Sequence, residues 1–161
     1  MKLVKKISLI VISLILLISG YELLRRHVGG FAGSYPFAES WEVKMTMAEI
    51  EHNLEKLHEK NPAIFFDKNN LVLEVDRKKK KKKVDFFYKE RNDIVKVLIR
   101  EFDGYTLISL VSFTNQLSGE IKLMNKDYNW FENKKEKDIF ESKILKYLSR
   151  VQSIEYRVTA N

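Results

Sequence analysis

The chain begins with one long apolar stretch and continues as a series of short amphipathic segments. Three lysines within the first six residues precede an apolar run from Ile7 to Gly20 that only serines interrupt. A charged start followed by an apolar segment is the layout of a signal peptide or a signal anchor. As a helix, residues 7–24 would be about 27 Å long, close to the hydrocarbon thickness of about 30 Å. This stretch is therefore predicted to cross a lipid bilayer.

Cleavage of this segment requires small residues at two positions, and the local sequence supplies only one. If Ser19 or Gly20 is the last residue removed, Leu17 or Ile18 occupies the second position. We therefore predict a retained signal anchor over residues 1–26, with a cleaved signal of a secreted protein and a buried core helix as the alternatives. More positive charge precedes the apolar run than follows it, and this asymmetry predicts that the rest of the chain lies outside the cytoplasm.

Residues 27–45 are rich in glycine and aromatic side chains. Their glycines give the segment a flexible composition, so it is predicted to be a juxtamembrane tether. Its aromatic side chains are expected to lie at the membrane interface or to dock onto the folded core, with a ligand-stacking surface as the alternative. These aromatic residues are Phe31, Tyr35, Phe37 and Trp41.

An amphipathic helix is predicted over residues 46–60. Thr46 and Glu49 have the spacing of a capping box, in which each side chain accepts a hydrogen bond from a backbone N–H group of the first turn. Asn61 and Pro62 are expected to end the helix. Its apolar stripe consists of Met47, Ile50, Leu54 and Leu57.

Short runs rich in β-branched and aromatic residues follow, a pattern typical of an antiparallel meander. The breaks at Asn69-Asn70, Arg91-Asn92-Asp93, Asp103-Gly104 and Ser118-Gly119 have the chemistry of turns. The predicted strands are 71–75, 84–88, 94–101, 105–113 and 120–124, and residues 154–158 alternate enough to form one more. Strand 94–101 is apolar at nearly every position, so it is expected to be covered on both faces.

A second helix is predicted over residues 134–150, with Asn133 and Glu136 as its start signal. Its apolar stripe consists of Ile139, Phe140, Ile144, Tyr147, Leu148 and Val151. The order helix, strands, helix predicts an α+β domain over residues 46–161. We expect both helices to pack on one face of an antiparallel sheet of about four to six strands.

The net charge of the whole chain, +7, does not describe the surface of the domain. Residues 1–26 hold five basic residues and one acidic residue, and residues 77–83 hold seven basic residues, which leaves 17 basic and 21 acidic residues elsewhere. The body of the domain is thus slightly acidic, and no specific nucleic-acid partner is predicted. The chain contains no cysteine, which excludes disulfides, thiolate metal sites and thiol nucleophiles.

Seven consecutive basic residues are the most conspicuous local feature. Adjacent ammonium groups repel one another, so the run is predicted to form a solvated hairpin loop between two strands. It is either a tolerated loop or a binding site for an anionic lipid surface or polymer, because a lysine near a charged membrane contributes about 1 kcal/mol. The possible anion-binding residues are Arg77, Lys78, Lys79, Lys80, Lys81, Lys82 and Lys83.

The sequence carries no catalytic signature. Glu51, Glu55 and His58 share a helix face, but a carboxylate-bridged iron site needs a second such motif, and the second helix has no histidine. We therefore interpret this face as solvated and predict no metal and no cofactor. An enzyme with an unrecognised site remains an alternative, and the carboxylates that folding could bring together are Asp85, Glu90 and Glu101.

The sequence therefore predicts a single-pass, membrane-anchored, non-enzymatic interaction or accessory domain of the cell envelope. Its expected partners are the lipid bilayer, through residues 7–24, and a protein of unknown identity. An anion-binding module that uses the lysine run, a secreted protein and an enzyme are the alternatives.

Overall fold

A long N-terminal helix precedes an α+β domain in which helices pack against an antiparallel sheet. The computed structural model describes residues 2–28, 37–66, 74–76, 80–151 and 156–158. In chain order the elements are α1 (Lys2–Val28), β1 (Glu39–Val43), α2 (Met47–Lys60), a 3-10 turn (Pro62–Ile64), β2 (Glu74–Asp76), β3 (Lys81–Tyr88), β4 (Asp93–Phe102), β5 (Tyr105–Asn115), β6 (Ile121–Leu123), α3 (Trp130–Phe140), a π-helical turn (Glu141–Leu145), α4 (Lys146–Val151) and β7 (Tyr156–Val158).

Helix α1 is long and apolar enough to cross a membrane. Its segment Lys6–Leu24 has a mean hydropathy of 2.3 and 19 residues. A helix of that many residues is about 28 Å long. The large apolar side chains of this segment are between 51% and 72% exposed. A core helix would bury one face or more, so the alternative of a buried core helix is wrong.

The described strands form one antiparallel sheet in the order β2-β3-β4-β5-β1-β7, with β6 also paired to β5. Strands β4 and β5 make the longest ladder, which runs from Asp93↔Asn115 to Phe102↔Tyr105. Their register shifts between Lys96 and Val97. The turn between them is the predicted one, and Gly104 has a φ of 88°, a left-handed conformation that glycine adopts without a steric penalty.

Both helical segments of the domain cover the same face of the sheet, as predicted. Alternate residues of β3, namely Val84, Phe86 and Tyr88, join one buried cluster with residues of both helical segments. On the opposite face Leu98 is only 2% exposed and clusters with Ala38 and Val111. The prediction that the central strand is covered on both faces is thus confirmed at Leu98. The helical contributors to the main cluster include Ile50, Leu54, Leu57, Phe140, Ile144, Leu145 and Leu148.

The first predicted helix is confirmed in detail. Thr46 is the N-cap of α2, and its Oγ1 accepts a hydrogen bond from the backbone N of Glu49 at 3.3 Å. The Glu49 carboxylate accepts one from the backbone N of Thr46 at 2.8 Å. The helix ends at Lys60, directly before Asn61 and Pro62.

The prediction of a tether over residues 27–45 is wrong at its C-terminal end. Residues Glu39–Val43 form β1, which pairs with β5 from Glu39↔Leu110 to Val43↔Thr106. Trp41 is completely buried, its ring centroid lies 5.2 Å from that of Phe140, and its Nε1 donates to Glu141 Oε1 at 3.0 Å. The folded domain therefore begins before residue 46. Trp41 does dock onto the core, as expected, but it does so as part of a strand that joins the sheet.

The start predicted for the second helix is also wrong. The helix begins at Trp130 with Asn129 as its N-cap, and Glu132 completes the capping box. Asn133 and Glu136, the predicted start signal, lie inside α3, where they are buried and make tertiary contacts. The predicted stripe is confirmed for Phe140, Ile144 and Leu148, with Ile139 and Tyr147 packed beside them.

The remaining strand predictions hold with shifted ends. Strands β4, β5 and β6 match the predicted runs within about two residues, and β7 matches the short strand predicted in the tail. Strand β3 begins three residues before the predicted Val84. Residues 71–73 of the first predicted strand, the Asn69-Asn70 turn, Phe31 and Tyr35 lie outside the described residues.

Replacing Trp41 tests whether β1 belongs to the folded domain. We expect Trp41→Ala to lower the free energy of unfolding by about 3–5 kcal/mol, because it removes a fully buried aromatic ring. Urea denaturation of the full chain in mild detergent, followed by circular dichroism, measures the change. Lys44→Ala, at an exposed position just after β1, should shift the same value by less than about 0.5 kcal/mol. If both substitutions had equally small effects, residues 39–43 would belong to the tether and not to the folded domain.

Candidate functional site

The prediction of a solvated loop for the lysine run is wrong for its last three residues. Strand β3 starts at Lys81, so Lys81, Lys82 and Lys83 lie in the sheet, paired with Arg100, Ile99 and Leu98 of β4. All three are half-buried. Arg77, Lys78 and Lys79 lie outside the described residues.

Carboxylates from other elements neutralise part of this charge. Lys82 points to the helix-covered face, where its side chain is 16% exposed and forms an ion pair with Glu51 of α2. Burial lowers the pKa of Lys82. Lys80 Nζ lies 3.5 Å from Glu101 Oε2. The repulsion within the run is thus offset by contacts that the local sequence does not contain.

Lys81 and Lys83 lie on the opposite face of the sheet, because successive strand residues alternate between faces. Asp85 shares this face and is paired in register with Lys96. Burial raises the pKa of Asp85, while the positive charges of Lys96 and Lys83 act to lower it. Anion binding by Arg77 to Lys83 remains a prediction. Lys81 and Lys83 are the two described lysines of this run that lie on this face of the sheet.

A second polar cluster lies where the β3–β4 hairpin meets α3. The Arg91 guanidinium makes a bidentate pair with Glu136, with Nη1 2.6 Å from Oε1 and Nη2 2.9 Å from Oε2. Its Nε lies 3.1 Å from Asp93 Oδ2. The Asn115 side-chain amide donates to the Arg91 carbonyl and to Asp93 Oδ1, both at 3.0 Å.

A cavity of about 360 Å³ opens beside this cluster, lined in part by Arg91, Tyr128 and Glu136. Burial, and next the negative charge of Glu136, raise the pKa of both Tyr88 and Tyr128. The hydrogen bonds to Glu136 raise the pKa of Arg91. The two carboxylates of the cluster, Asp93 and Glu136, are both paired with the Arg91 guanidinium. The arrangement is therefore suited to fastening the hairpin to α3.

The carboxylates considered for catalysis do not converge. Glu90 and Glu101 lie near opposite ends of β4, about 25 Å apart at roughly 3.3 Å per residue. Asp85 faces away from the helices, whereas Glu101 faces α2 and accepts a hydrogen bond from the backbone N of Met47 at 3.1 Å. Lys143 Nζ lies 3.3 Å from the Glu90 carboxylate. These contacts assign the three carboxylates to separate parts of the domain.

The helix face with Glu51, Glu55 and His58 is not simply solvated. Glu51 pairs with Lys82, and the His58 ring packs edge-on against Phe65, with centroids 5.0 Å apart. Within the described part of the chain, no three His, Cys, Asp or Glu side chains are grouped so as to hold a metal ion.

Sequence reasoning missed the Arg91–Glu136 pair for an identifiable reason. The sequence predicts a turn at Arg91 and a helix start at Glu136. Both are local roles, and neither indicates a contact between residues 45 positions apart in the chain. The aromatic pair Trp130 and Phe131 was also missed, although two aromatic residues directly after an asparagine N-cap are visible in the sequence.

The chain matches no family model, no curated protein and no solved structure. Its function is therefore inferred from its own residues.

Removing the charge of Glu136 tests the fastening role of the cluster. We expect Glu136→Gln to lower the free energy of unfolding by about 2 kcal/mol, because it leaves the Arg91 guanidinium half-buried without its bidentate partner. Glu120→Gln is the matched control: its side chain is 61% exposed and lies 3.6 Å from Lys122, so its loss should change stability by less than about 1 kcal/mol. Equal effects of the two variants in urea denaturation would contradict the fastening role.

The ionised Asp85 carboxylate lowers the stability of the folded domain, and this effect depends on pH. A carboxyl group with a raised pKa in the folded state favours folding while protonated, and that contribution is lost as the pH rises through the raised value. We therefore expect Asp85→Asn to raise the Tm at pH 7 by a few degrees and to leave it near wild type at pH 3.5. Asp103→Asn, in the exposed β4–β5 turn, should produce a smaller change at pH 7. A lower Tm for Asp85→Asn at pH 7 would show that its attraction to the lysines outweighs its burial.

Proposed function

We propose that this protein is a single-pass, membrane-anchored interaction or accessory domain of the cell envelope and that it carries out no catalysis of its own. In this proposal α1 is retained in the mature chain and spans the bilayer, and the α+β domain lies on the extracytoplasmic side. A protein partner of unknown identity is expected to bind the domain beside the membrane.

The observation that carries the proposal is the exposure of α1. None of the buried core residues that the structure describes belongs to this helix, and its apolar segment is not buried at all. The domain closes its core without α1, so burial inside the fold does not account for the apolar side chains of the helix. Apolar surface of this extent is unfavourable in water, and a bilayer removes it from water.

Retention is supported by the shape of α1 as well as by its sequence. The helix continues without a break through Ser19 and Gly20 to Val28. A peptide bond is cleaved by a signal peptidase in a small-residue segment, and here Leu17 and Ile18 occupy positions where a small residue is required. The side of the membrane is inferred from the lysines that precede the apolar segment.

The absence of catalysis is proposed because the candidate acidic residues are used in structural contacts. Of these candidates, Glu51, Glu90 and Glu101 each form an ion pair with a lysine from another part of the chain. If the full chain in detergent hydrolysed a compound in a broad substrate panel and a single substitution abolished that activity, the protein would be an enzyme.

Membrane fractionation combined with intact mass tests the anchor. We expect the mature chain to remain with membranes after carbonate extraction and to have the mass of a chain that begins at or near Met1. A soluble chain that starts after Gly20 would instead show a cleaved signal and a secreted protein.

The absence of cysteine allows the side of the membrane to be tested with single-cysteine variants. We expect a membrane-impermeant maleimide to label Lys89→Cys, at an exposed hairpin position, once the outer barrier alone is permeabilised. A cysteine inserted after Met1 is the matched control and should react only after the inner membrane is broken. The reverse pattern would place the domain in the cytoplasm.

A further inference from the structure

Six large apolar side chains of the domain are at least 40% exposed among the residues that the structure describes, and two of them are adjacent. Trp130 is 54% exposed and Phe131 is 76% exposed. Their ring centroids lie 4.9 Å apart, with the ring planes at 81°. The other four are Phe66, Phe102, Leu117 and Ile121. Trp130 and Phe131 therefore form the only sequence-adjacent pair in this set.

A rigid element presents this aromatic pair. Asn129 caps α3, its side chain accepts from the backbone N of Glu132 at 3.0 Å, and the Glu132 carboxylate accepts from the backbone N of Asn129 at 2.9 Å. Trp130 and Phe131 are the first two residues of the helix that follows. Because the capping box fixes the first turn, the rings are held out from the domain by ordered backbone.

Two lysines continue the same surface. Lys134 and Lys135 lie four positions after Trp130 and Phe131, one helical turn farther along α3. A shallow groove of about 420 Å³ runs along this surface. It is lined by two lysines and one carboxylate together with apolar and hydroxyl side chains, namely Phe131, Lys134, Lys135, Asp138, Ile139 and Ser142. Aromatic rings beside long cationic side chains are the combination found at the boundary between lipid headgroups and acyl chains, where the rings enter and the ammonium groups stay in water.

The chain keeps the domain close to the bilayer if α1 is the anchor. Nine peptide units separate Val28, the last residue of α1, from Phe37, where the description of the domain begins. Fully extended, they span at most about 32 Å. Since the domain cannot move farther away than this, lipid headgroups are present at its surface at a high effective concentration.

We propose that Trp130 and Phe131 insert into the headgroup region of the bilayer that α1 spans, so that α3 docks the domain against the membrane surface. Lys134 and Lys135 then lie beside the phosphates of the lipids, which strengthens docking on anionic membranes. This inference rests on the proposed anchoring function and adds the membrane surface as a second binding partner of the domain.

Quenching by brominated lipids tests the insertion in the full chain reconstituted into vesicles. The chain has two tryptophans, and Trp41 is completely buried, so lipid bromines near the headgroup end of the acyl chains can quench Trp130 alone by contact. We expect bromine-dependent quenching in the wild type and its loss in Trp130→Phe, which removes the reporter and keeps an aromatic ring.

The docking surface is tested with a matched pair of apolar substitutions. Phe131→Ser should reduce the quenching of Trp130, whereas Leu117→Ser, at an 82% exposed position in the β5–β6 turn, should leave it unchanged. Lys134→Gln with Lys135→Gln should reduce quenching in phosphatidylglycerol vesicles at low salt and have less effect in phosphatidylcholine vesicles. Lys89→Gln is the charge control.

The outcomes separate docking from anchoring. Wild-type chain that floats with the vesicles but shows no bromine quenching of Trp130 overturns the docking proposal and leaves the anchor intact. Chain that does not float overturns the anchor, and the docking proposal fails with it. Shielding of Trp130 from a soluble quencher that increases with protein concentration, without bromine quenching, would assign this surface to a second copy of the chain and so overturn lipid docking.

Discussion

The contact between the helix-covered face of the sheet and the two helical segments is the interaction on which the rest of the domain depends. Trp41 of β1 is part of this contact: it is completely buried, and its ring packs against that of Phe140. A fully buried aromatic side chain contributes several kcal/mol, which is comparable with the whole stability of a small domain. Because this core closes without α1, the hydrophobic N-terminal helix is available to a lipid bilayer.

Polar contacts at the edges of this core hold the helices in position. Lys82 and Glu51 join β3 to α2, Arg91 and Glu136 join the hairpin to α3, and Glu39 of β1 lies 2.8 Å from Lys137. The composition of the lysine run by itself predicts a solvated loop. Its carboxylate partners come from other elements and cannot be read from local composition.

The predictable parts of the fold are those whose signals are local. The capping box at Thr46 is unambiguous, whereas Asn-x-x-Glu occurs twice in succession, at Asn129 and at Asn133, and only tertiary contacts decide between them. The buried Asn133 accepts a hydrogen bond from the backbone N of Asn125 at 3.2 Å. Strand β1 was missed because five residues next to a glycine-rich segment carry too short an alternation. For the candidate site, the sequence identifies the lysines but not the carboxylates with which Lys80 and Lys82 form ion pairs.

Hydrogen–deuterium exchange of the full chain in nanodiscs tests most directly whether an independent domain is joined to a membrane-spanning helix. The account requires slow exchange in two separate regions, residues 7–24 of α1 and the β1–β5 ladder, and faster exchange of α1 alone when lipid is replaced by denaturant below the unfolding transition of the domain. Rapid exchange of residues 7–24 in nanodiscs, or loss of protection in both regions together at one denaturant concentration, would contradict it.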